Sequence, residues 1–398
     1  MFTLQGRYGT ATVYADIIDQ KAISQIIQMM NQPFVENQKV YMMPDAHAGK
    51  GCTIGTTMTV SDKICPNLVG VDIGCGMLAI KLRQKDISWS DLDQVIREHI
   101  PSGLDVAANP RPEIKNCRVD DMICAKTWSF HAEAMSLGTL GGGNHFIEVD
   151  QDSDGHLWLV IHSGSRHLGV KVATYYQRKA IKAIHAMQPW QLNELRDRLR
   201  QENRLTEFNQ ECSKMTPQWS HIPDDFCWCE GRLMDDYLHD MQIVQEFADQ
   251  NRRAIARIIL EKMNLDVEDQ FSTVHNYLDM DNMILRKGAV STQAGQRLLI
   301  PISMKDGALL CTGKGNPDWN FSAPHGAGRL MSRKDAKETL TMDEFTAAMT
   351  GIWTSSVCEA TLNESPMAYK PMDAILNTIQ DTAEVQDILR PKYNYKAH

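Results

Sequence analysis

Leu157-Trp158-Leu159-Val160-Ile161-His162-Ser163-Gly164-Ser165-Arg166 is the stretch whose reading decides the fold. Five apolar residues in a row fit a short buried strand. The run then breaks into histidine, serine, glycine and arginine, so the strand delivers a polar group at its end. Four other runs share this character: Met43-Pro44-Asp45-Ala46-His47-Ala48-Gly49-Lys50-Gly51, Val69-Gly70-Val71-Asp72-Ile73-Gly74-Cys75-Gly76-Met77, Gly138-Thr139-Leu140-Gly141-Gly142-Gly143-Asn144-His145-Phe146, and Ser322-Ala323-Pro324-His325-Gly326-Ala327-Gly328-Arg329. A further histidine lies in Thr273-Val274-His275-Asn276. In most of these, apolar residues lead in and glycines surround or follow the polar group. They read as strands that end at one polar site.

Between the runs the chain changes character. Lys39–Met42 and Thr53–Met58 look like strands. Residues 87–100 and 120–137 look helical. From about 170 to 263 glycines are few and long polar residues many. Gln191–Leu199 has leucines at helical spacing, and Leu233–Met263 reads as one long amphipathic helix or two in succession. Phe247, Ala254 and Ile258 would share its buried side, away from Asp249, Arg253 and Arg257. Strand-and-turn character returns from about 268, and the C-terminal part mixes helix and strand. Candidate site residues lie on both sides of the helical stretch. The expectation is therefore one α+β domain over 1–398, with mixed β-sheets around a central metal site and a helical insertion at about 170–263.

Composition narrows the class. A chain of 398 residues, 43% hydrophobic and 23% charged, buries a large core and resembles ordinary soluble globular proteins. No apolar run is long enough to span a membrane. Met1-Phe2-Thr3-Leu4-Gln5 lacks the basic and apolar regions of a signal peptide, so a cytoplasmic protein without a membrane partner is expected. Ten cysteines in that setting read as reduced thiols. No Cys-x-x-Cys pair occurs, which argues against a structural zinc ribbon, and Cys227 and Cys229 read as structural or incidental. A net charge of −9 argues against wide non-specific nucleic-acid binding. A local basic patch would have to come from residues such as Arg166, Arg252, Arg253, Arg329 and Arg333.

The polar residues themselves point to chemistry. Asp72 and Cys75 are three apart in a glycine-rich turn that can aim both at one ion. His145, His162 and His275 add three imidazoles. Carboxylate, thiolate and imidazole suit Mn, Zn, Fe or Co. Five ligands exceed the needs of one tetrahedral catalytic zinc, and a thiolate can bridge two ions. Two ions match reactions at phosphorus. Each residue also has an ordinary reading: a small buried hydrophobe for Cys75, a turn acceptor for Asp72, core histidines for the rest. Together, in glycine settings, they read as a site. Asn144, Ser163 and Arg166 offer donors to a polyphosphate, and Gly49, Lys50 and Gly51 a further contact. There is no GxxxxGK[ST] loop. A reachable His325 beside a phosphate-bearing cofactor points to covalent nucleotidyl transfer.

The five runs PDAHAGKG, DIGCG, GGGNHF, HSGSR and PHGAGR resemble those of the RtcB family of RNA-splicing ligases, and with weaker matches near both ends the likeness covers most of the chain. The resemblance implies an enzyme that joins RNA 3′-phosphate or 2′,3′-cyclic phosphate ends to 5′-hydroxyl ends, using GTP and two Mn²⁺ ions, in tRNA splicing or RNA repair. It implies that His325 is guanylylated, that GMP passes to the RNA 3′-phosphate, and that the 5′-hydroxyl displaces it. By motif match Cys75 bridges the ions. Asp72 and His145 complete the protein ligands of one, and His162 and His275 those of the other. Asp45 orients His325. Asn144, Arg166, Ser303 and Gly326 fall in the nucleotide-binding set. Phe146 and Glu148 lie near guanine, Tyr369 packs on the base, and Lys396 contacts it. RNA and GTP are the implied partners; a helper protein is left open.

The chain also departs from the family. Pro301-Ile302-Ser303-Met304-Lys305 stands where Pro-Gly-Ser-Met-Gly is usual, Ala308 where a serine is usual, and His167 where a glycine is usual. These changes bear on nucleotide preference. Ala397 and His398 follow the terminal lysine. The rival readings are a metal-dependent cyclic phosphodiesterase that cannot ligate and a non-catalytic RNA-binding relative.

Overall fold

Strand pairing follows the apolar runs. The computed structural model describes residues 1–397, and His398 lies outside them. An eight-stranded sheet runs in the order Val267–Val274, Gly76–Leu82, Leu157–Ser163, Phe146–Gln151, Ala383–Lys396, Gly307–Gly313 and Arg297–Ser303, with Trp353–Thr354 added alongside Ala383–Lys396. Leu157–Ser163 is buried at every position and pairs antiparallel with a neighbour on each side. That central place explains its unbroken apolar run.

Alternation then sorts its side chains. Leu157, Leu159 and Ile161 pack with Ile255, Ile258 and Ile259 of the long helix. Trp158 and Val160 pack on the other face with Leu299, Ala308 and Leu389. His162, two residues past Val160, is carried to that second face.

A six-stranded sheet runs Phe2–Gln5, Thr10–Val13, Val40–His47, Ile54–Thr59, Ile284–Lys287 and Asn276–Asp279. The chain passes between the two sheets at His275, the only residue between Val267–Val274 and Asn276–Asp279. Its N–H donates to the Cys75 carbonyl at 2.9 Å, and its carbonyl accepts from Gly288 N–H at 2.7 Å. The junction of the sheets is thereby tied to the Asp72–Cys75 turn.

The helical part is Arg166–Ile184, Pro189–Gln201, the short Phe208–Cys212 and Arg232–Met263. The last is one unbroken helix of 32 residues, ended by Asn264 in the left-handed conformation. Phe247, Ala254 and Ile258 are buried on it, whereas Asp249, Arg253 and Arg257 lie outside the buried set. Phe247 and Ala254 belong to the largest core, with Tyr176 and Trp228, and Ile255 and Ile258 to the core under the eight-stranded sheet. The helix therefore joins two cores.

Residues 87–100 hold the helix Trp89–His99. The expected helix at 120–137 is broken instead: two short 3₁₀ turns, Val119–Asp121 and Cys124–Thr127, precede the helix His131–Ser136. Both carboxylate oxygens of Asp240, on the long helix, take the N–H groups of Ile123 and Cys124 at 2.8 and 2.9 Å. A tertiary acceptor here replaces the helical ladder. Among the described residues no helix is long and apolar enough to cross a membrane.

Candidate active site

Seven side chains from six separate segments meet in one continuous row. Asp72 Oδ2 lies 3.0 Å from His145 Nε2. His145 Nε2 lies 3.4 Å from Cys75 Sγ, which lies 3.3 Å from His162 Nε2. His162 Nε2 lies 3.4 Å from His275 Nε2. The His275 and His325 ring centres are 4.9 Å apart, and His325 Nδ1 is 2.6 Å from Asp45 Oδ2. The donors fall into two triads, Asp72–Cys75–His145 and Cys75–His162–His275, which share the thiol.

Local structure brings each group in. Asp72 and Cys75 sit in the turn before Gly76–Leu82. His145 precedes Phe146–Gln151, and His162 lies near the end of its own strand. His325 follows Ser322–Pro324, which pairs with Ala289–Ser291. Two glycines are sterically required. A Cβ on Gly164 would stand 2.0 Å from Asp72 Oδ1, and one on Gly288 would stand 3.0 Å from His325 Cε1.

The protonation states suit cation binding. Burial pushes His162 and His275 well below the ordinary imidazole range, and neighbouring imidazoles push the same way. Both rings are therefore neutral, the form that ligates. Burial opposes the charge of Asp72, yet its contact with His145 holds the carboxyl below the usual range. Burial, then the charge of Asp72, pushes the Cys75 thiol well up. A cation reverses that last effect and takes the thiolate.

The donor set fits divalent metal. His145 Nδ1 lies 2.9 Å from the Leu140 carbonyl, which fixes the ring and aims Nε2 at Asp72 and Cys75. The Nδ1 atoms of His162 and His275 are buried without a partner, so what orders these rings lies at their Nε2 ends.

His325 is arranged differently. Asp45 is fully buried, and its carboxylate accepts a hydrogen bond from His325 Nδ1–H. Nε2 is left as the lone-pair atom. The strand around Asp45 is held by Lys370, whose ammonium donates to the carbonyls of Ile17, Pro44 and Ala46 at 2.6, 2.9 and 3.3 Å.

The expected nucleotide contacts divide into groups. Phe146 stands edge-on to His162 with ring centres 5.2 Å apart, and the Lys396 ammonium lies 5.2 Å from the centre of the Phe146 ring. Glu148 lies behind them, bonded to Asn394. Burial pushes its carboxyl up, and that of Asp150 behind it further up. Asn144 is exposed beside His145. Arg166 donates to Thr139 and the Gly103 carbonyl, both at 3.1 Å, and holds a positive φ of 55°. Such strain in a non-glycine residue is typical of functional sites. Tyr369 is bonded to Glu364 under the Arg329 guanidinium. Gly326 lies against the Pro301 carbonyl. Ser303 is engaged in its own turn, donating to Asp306 at 2.7 Å. Of the departures, Ile302 is core-packed, Ala308 is buried, and His167 and Lys305 are exposed.

Some residues that shape the site are silent in the sequence motifs. Glu364, 2% exposed, gathers Arg329, Arg333 and Lys396 at 3.4, 3.2 and 3.5 Å. Arg252 is fully buried, so it belongs to no surface patch; it donates to the Gly74 and Ser163 carbonyls, both at 2.9 Å. Asn251 beside it makes five hydrogen bonds, to Gly138, Thr139 (two), Ser163 and Gly164. One signal was present for Asn251: a polar residue at the buried spacing of Phe247, Ala254 and Ile258. Asn251→Ala strands two buried N–H groups and is expected to destabilise the fold by about 3 kcal/mol. A denaturant midpoint that drops at constant slope checks this; an unchanged midpoint contradicts it.

Comparison with known proteins agrees along nearly the whole length. The family described as "tRNA-splicing ligase RtcB" matches residues 25–127 and 117–397. The chain is 30% identical to the RNA-splicing ligase RtcB of Escherichia coli strain K12, over 94% of this chain and 93% of that one. It is 28% identical to the RNA-splicing ligase RtcB2 of another Escherichia coli strain, over 91% and 88%. It is 26% identical to the tRNA-splicing ligase RtcB of Aeropyrum pernix, over 92% and 90%.

Proposed function

The chain belongs to the RtcB family, and on that premise we propose that it is a GTP- and manganese-dependent RNA ligase acting through a histidine–GMP intermediate. The reaction class is RNA ligation, as the relatives' names state. The observation that carries the finer reading is the Asp45–His325 pair abutting two donor triads that share one thiol.

In this reading Asp45 holds the Nδ1 proton, and His325 Nε2 forms a bond to the α-phosphorus of GTP as pyrophosphate leaves. The nucleotidyl group then passes to an RNA 3′-phosphate, and the RNA 5′-hydroxyl displaces GMP. Asp72, Cys75, His145, His162 and His275 would hold two manganese ions, whose role when bound is to stabilise charge on the phosphoryl oxygens. Arg166 and Asn144 supply donors at the rim. Glu148 accepts from the N–H edge of guanine, with Phe146, Tyr369 and Lys396 around the base. Ser303 reaches the nucleotide once its bond to Asp306 opens.

The test is an RNA carrying a 3′-phosphate or cyclic phosphate and a 5′-hydroxyl, incubated with GTP and Mn²⁺. Lengthened RNA is expected. Opened cyclic phosphate without lengthening favours a phosphodiesterase, and unchanged RNA a non-catalytic relative.

The Glu148 reading also sets a pH dependence. Its carboxyl is raised by burial, so it gains a proton as pH falls through neutrality, and one of its two oxygens then presents a donor where guanine also donates. GTP affinity is expected to weaken between about pH 8 and about pH 6. Glu148→Gln should be weak at both values. A flat profile in the wild type, measured by fluorescence titration, would remove Glu148 from this role.

A further inference from the structure

We propose that Cys52 and Lys287 are the two ends of a redox-reversible covalent crosslink beside the active site. The pair is set apart by its contacts. Lys287 Nζ lies 2.9 Å from Cys52 Sγ and 2.7 Å from the Asn67 carbonyl. Sulfur is larger than oxygen, so an N–H···S contact is ordinarily longer than the roughly 2.7–3.2 Å of N–H···O. Lys287 is 8% exposed and Cys52 1% exposed. Among the described residues no carboxylate pairs with this amine.

The other buried lysine of the region shows what a purely structural amine looks like here. Lys370 spends its three donors on three carbonyls. Lys287 meets one carbonyl and a thiol. Other buried cysteines differ as well. Cys65 and Cys229 donate to the Asp225 and Tyr176 carbonyls, and neither they nor Cys311 has an amine partner among the described residues. Such thiols are inert.

The chemistry closes with peroxide as the oxidant. The Cys52 thiol reduces one hydrogen peroxide; a sulfur–oxygen bond forms, the O–O bond breaks, and one water leaves, giving a sulfenic acid. The Lys287 nitrogen then attacks sulfur. A sulfur–nitrogen bond forms and the sulfenic oxygen departs as water with the displaced proton. A second peroxide at the sulfenic stage yields instead a sulfur–oxygen–nitrogen link and two waters. Either product covalently joins the same two residues. One dithiol releases both ends of the sulfur–nitrogen link and becomes a disulfide; the sulfur–oxygen–nitrogen link consumes two dithiols and gives up its oxygen as water.

The location gives the crosslink a consequence. Cys52 lies in the loop 48–53 that follows the Asp45 strand, and Lys287 ends Ile284–Lys287, one residue before Gly288. Gly288 donates to the His275 carbonyl and lies against His325. The covering loop 48–51 is partly to fully exposed, so local opening admits a molecule as small as peroxide. Oxidation would pin this loop to the strand that seats both histidines.

The test is direct. The full-length protein is treated with hydrogen peroxide, digested with trypsin and analysed by peptide mass. The expected product is a linked pair containing Cys52 and Lys287, lighter than the sum by two hydrogens, or that species with one added oxygen. Trypsin no longer cleaves after Lys287, and dithiothreitol restores both peptides. Cys52→Ala and Lys287→Arg each abolish the link; if Lys287→Arg does not fold, Cys52→Ala suffices. Cys75→Ser retains it, which separates this site from the ligand thiol. Peroxide that leaves Lys287 cleavable, with Cys52 either untouched or carried to sulfinic acid, overturns the proposal. The readout is independent of ligation, so its failure and failure of the ligase reading are distinguishable.

Discussion

Incubated with GTP labelled at the α-phosphate and with Mn²⁺, the protein is expected to take up acid-labile label, and His325→Ala to take up none. The expectation rests on tautomer control. Asp45, fully buried, binds the Nδ1 side of the ring at 2.6 Å. That leaves Nε2 as the nucleophilic atom. Removing the imidazole removes the atom that bonds phosphorus, and no other histidine replaces it, because His162 and His275 face the donor triads. Asp45→Asn keeps the shape but offers an amide N–H where the ring now donates. The ring then presents the wrong tautomer, and labelling should slow about 10²–10⁴-fold. Wild-type label that survives His325→Ala at full stoichiometry would refute the assignment of the nucleophile. Asp45→Asn labelling at the wild-type rate would refute the tautomer argument alone.

The second large effect concerns Cys75. Its thiol belongs to both donor triads, so Cys75→Ser is expected to lose bound manganese at both places, whereas His145→Ala and His275→Ala each chiefly weaken one. The wild type is expected to hold two ions per chain by elemental analysis. Loading should also release protons. The Cys75 thiol is pushed well up in the metal-free protein, so it is protonated at neutral pH and must ionise to ligate. Protons and metal therefore compete. Affinity falls as pH falls, by about tenfold per unit for the one proton from Cys75. His162 and His275, already neutral, add none. Calorimetry in buffers of different ionisation enthalpy reads the proton count. Zero release, or Cys75→Ser with both ions retained, would exclude a bridging thiolate.

The donor inventory was legible in the sequence because each donor sits in a local pattern. Apolar runs that break into glycine and one polar residue mark strand ends, and that pattern flagged Asp72, Cys75, His145, His162 and His325 directly, whereas Asp45 was picked out of its run only by the family resemblance. The long helix was legible for the same reason: Phe247, Ala254 and Ile258 repeat at helical spacing. The break within 120–137 was not, because Asp240, far along the chain, supplies the acceptor that diverts the backbone there. Arg252 read as a candidate surface cation and is buried, since its partners are two carbonyls contributed by other segments.

Glu364 and Lys370 illustrate the remainder. Nothing around Glu364 in the chain foretells that Arg329, Arg333 and Lys396 converge on it. Nor does anything around Lys370 mark it as the residue that grips the carbonyls on both sides of Asp45.

The amino-acid sequence alone determined which residues are available for the chemistry and where the regularly patterned strands and the long helix form, because periodicity and glycine placement act over a few residues. Only the tertiary structure decided that one thiol is common to two triads, that Asp45 meets a histidine 280 positions away, and that Cys52 touches Lys287. Those distances depend on sheet register, on the crossing at His275 and on the seating of the long helix, which are set by packing among segments remote in the chain.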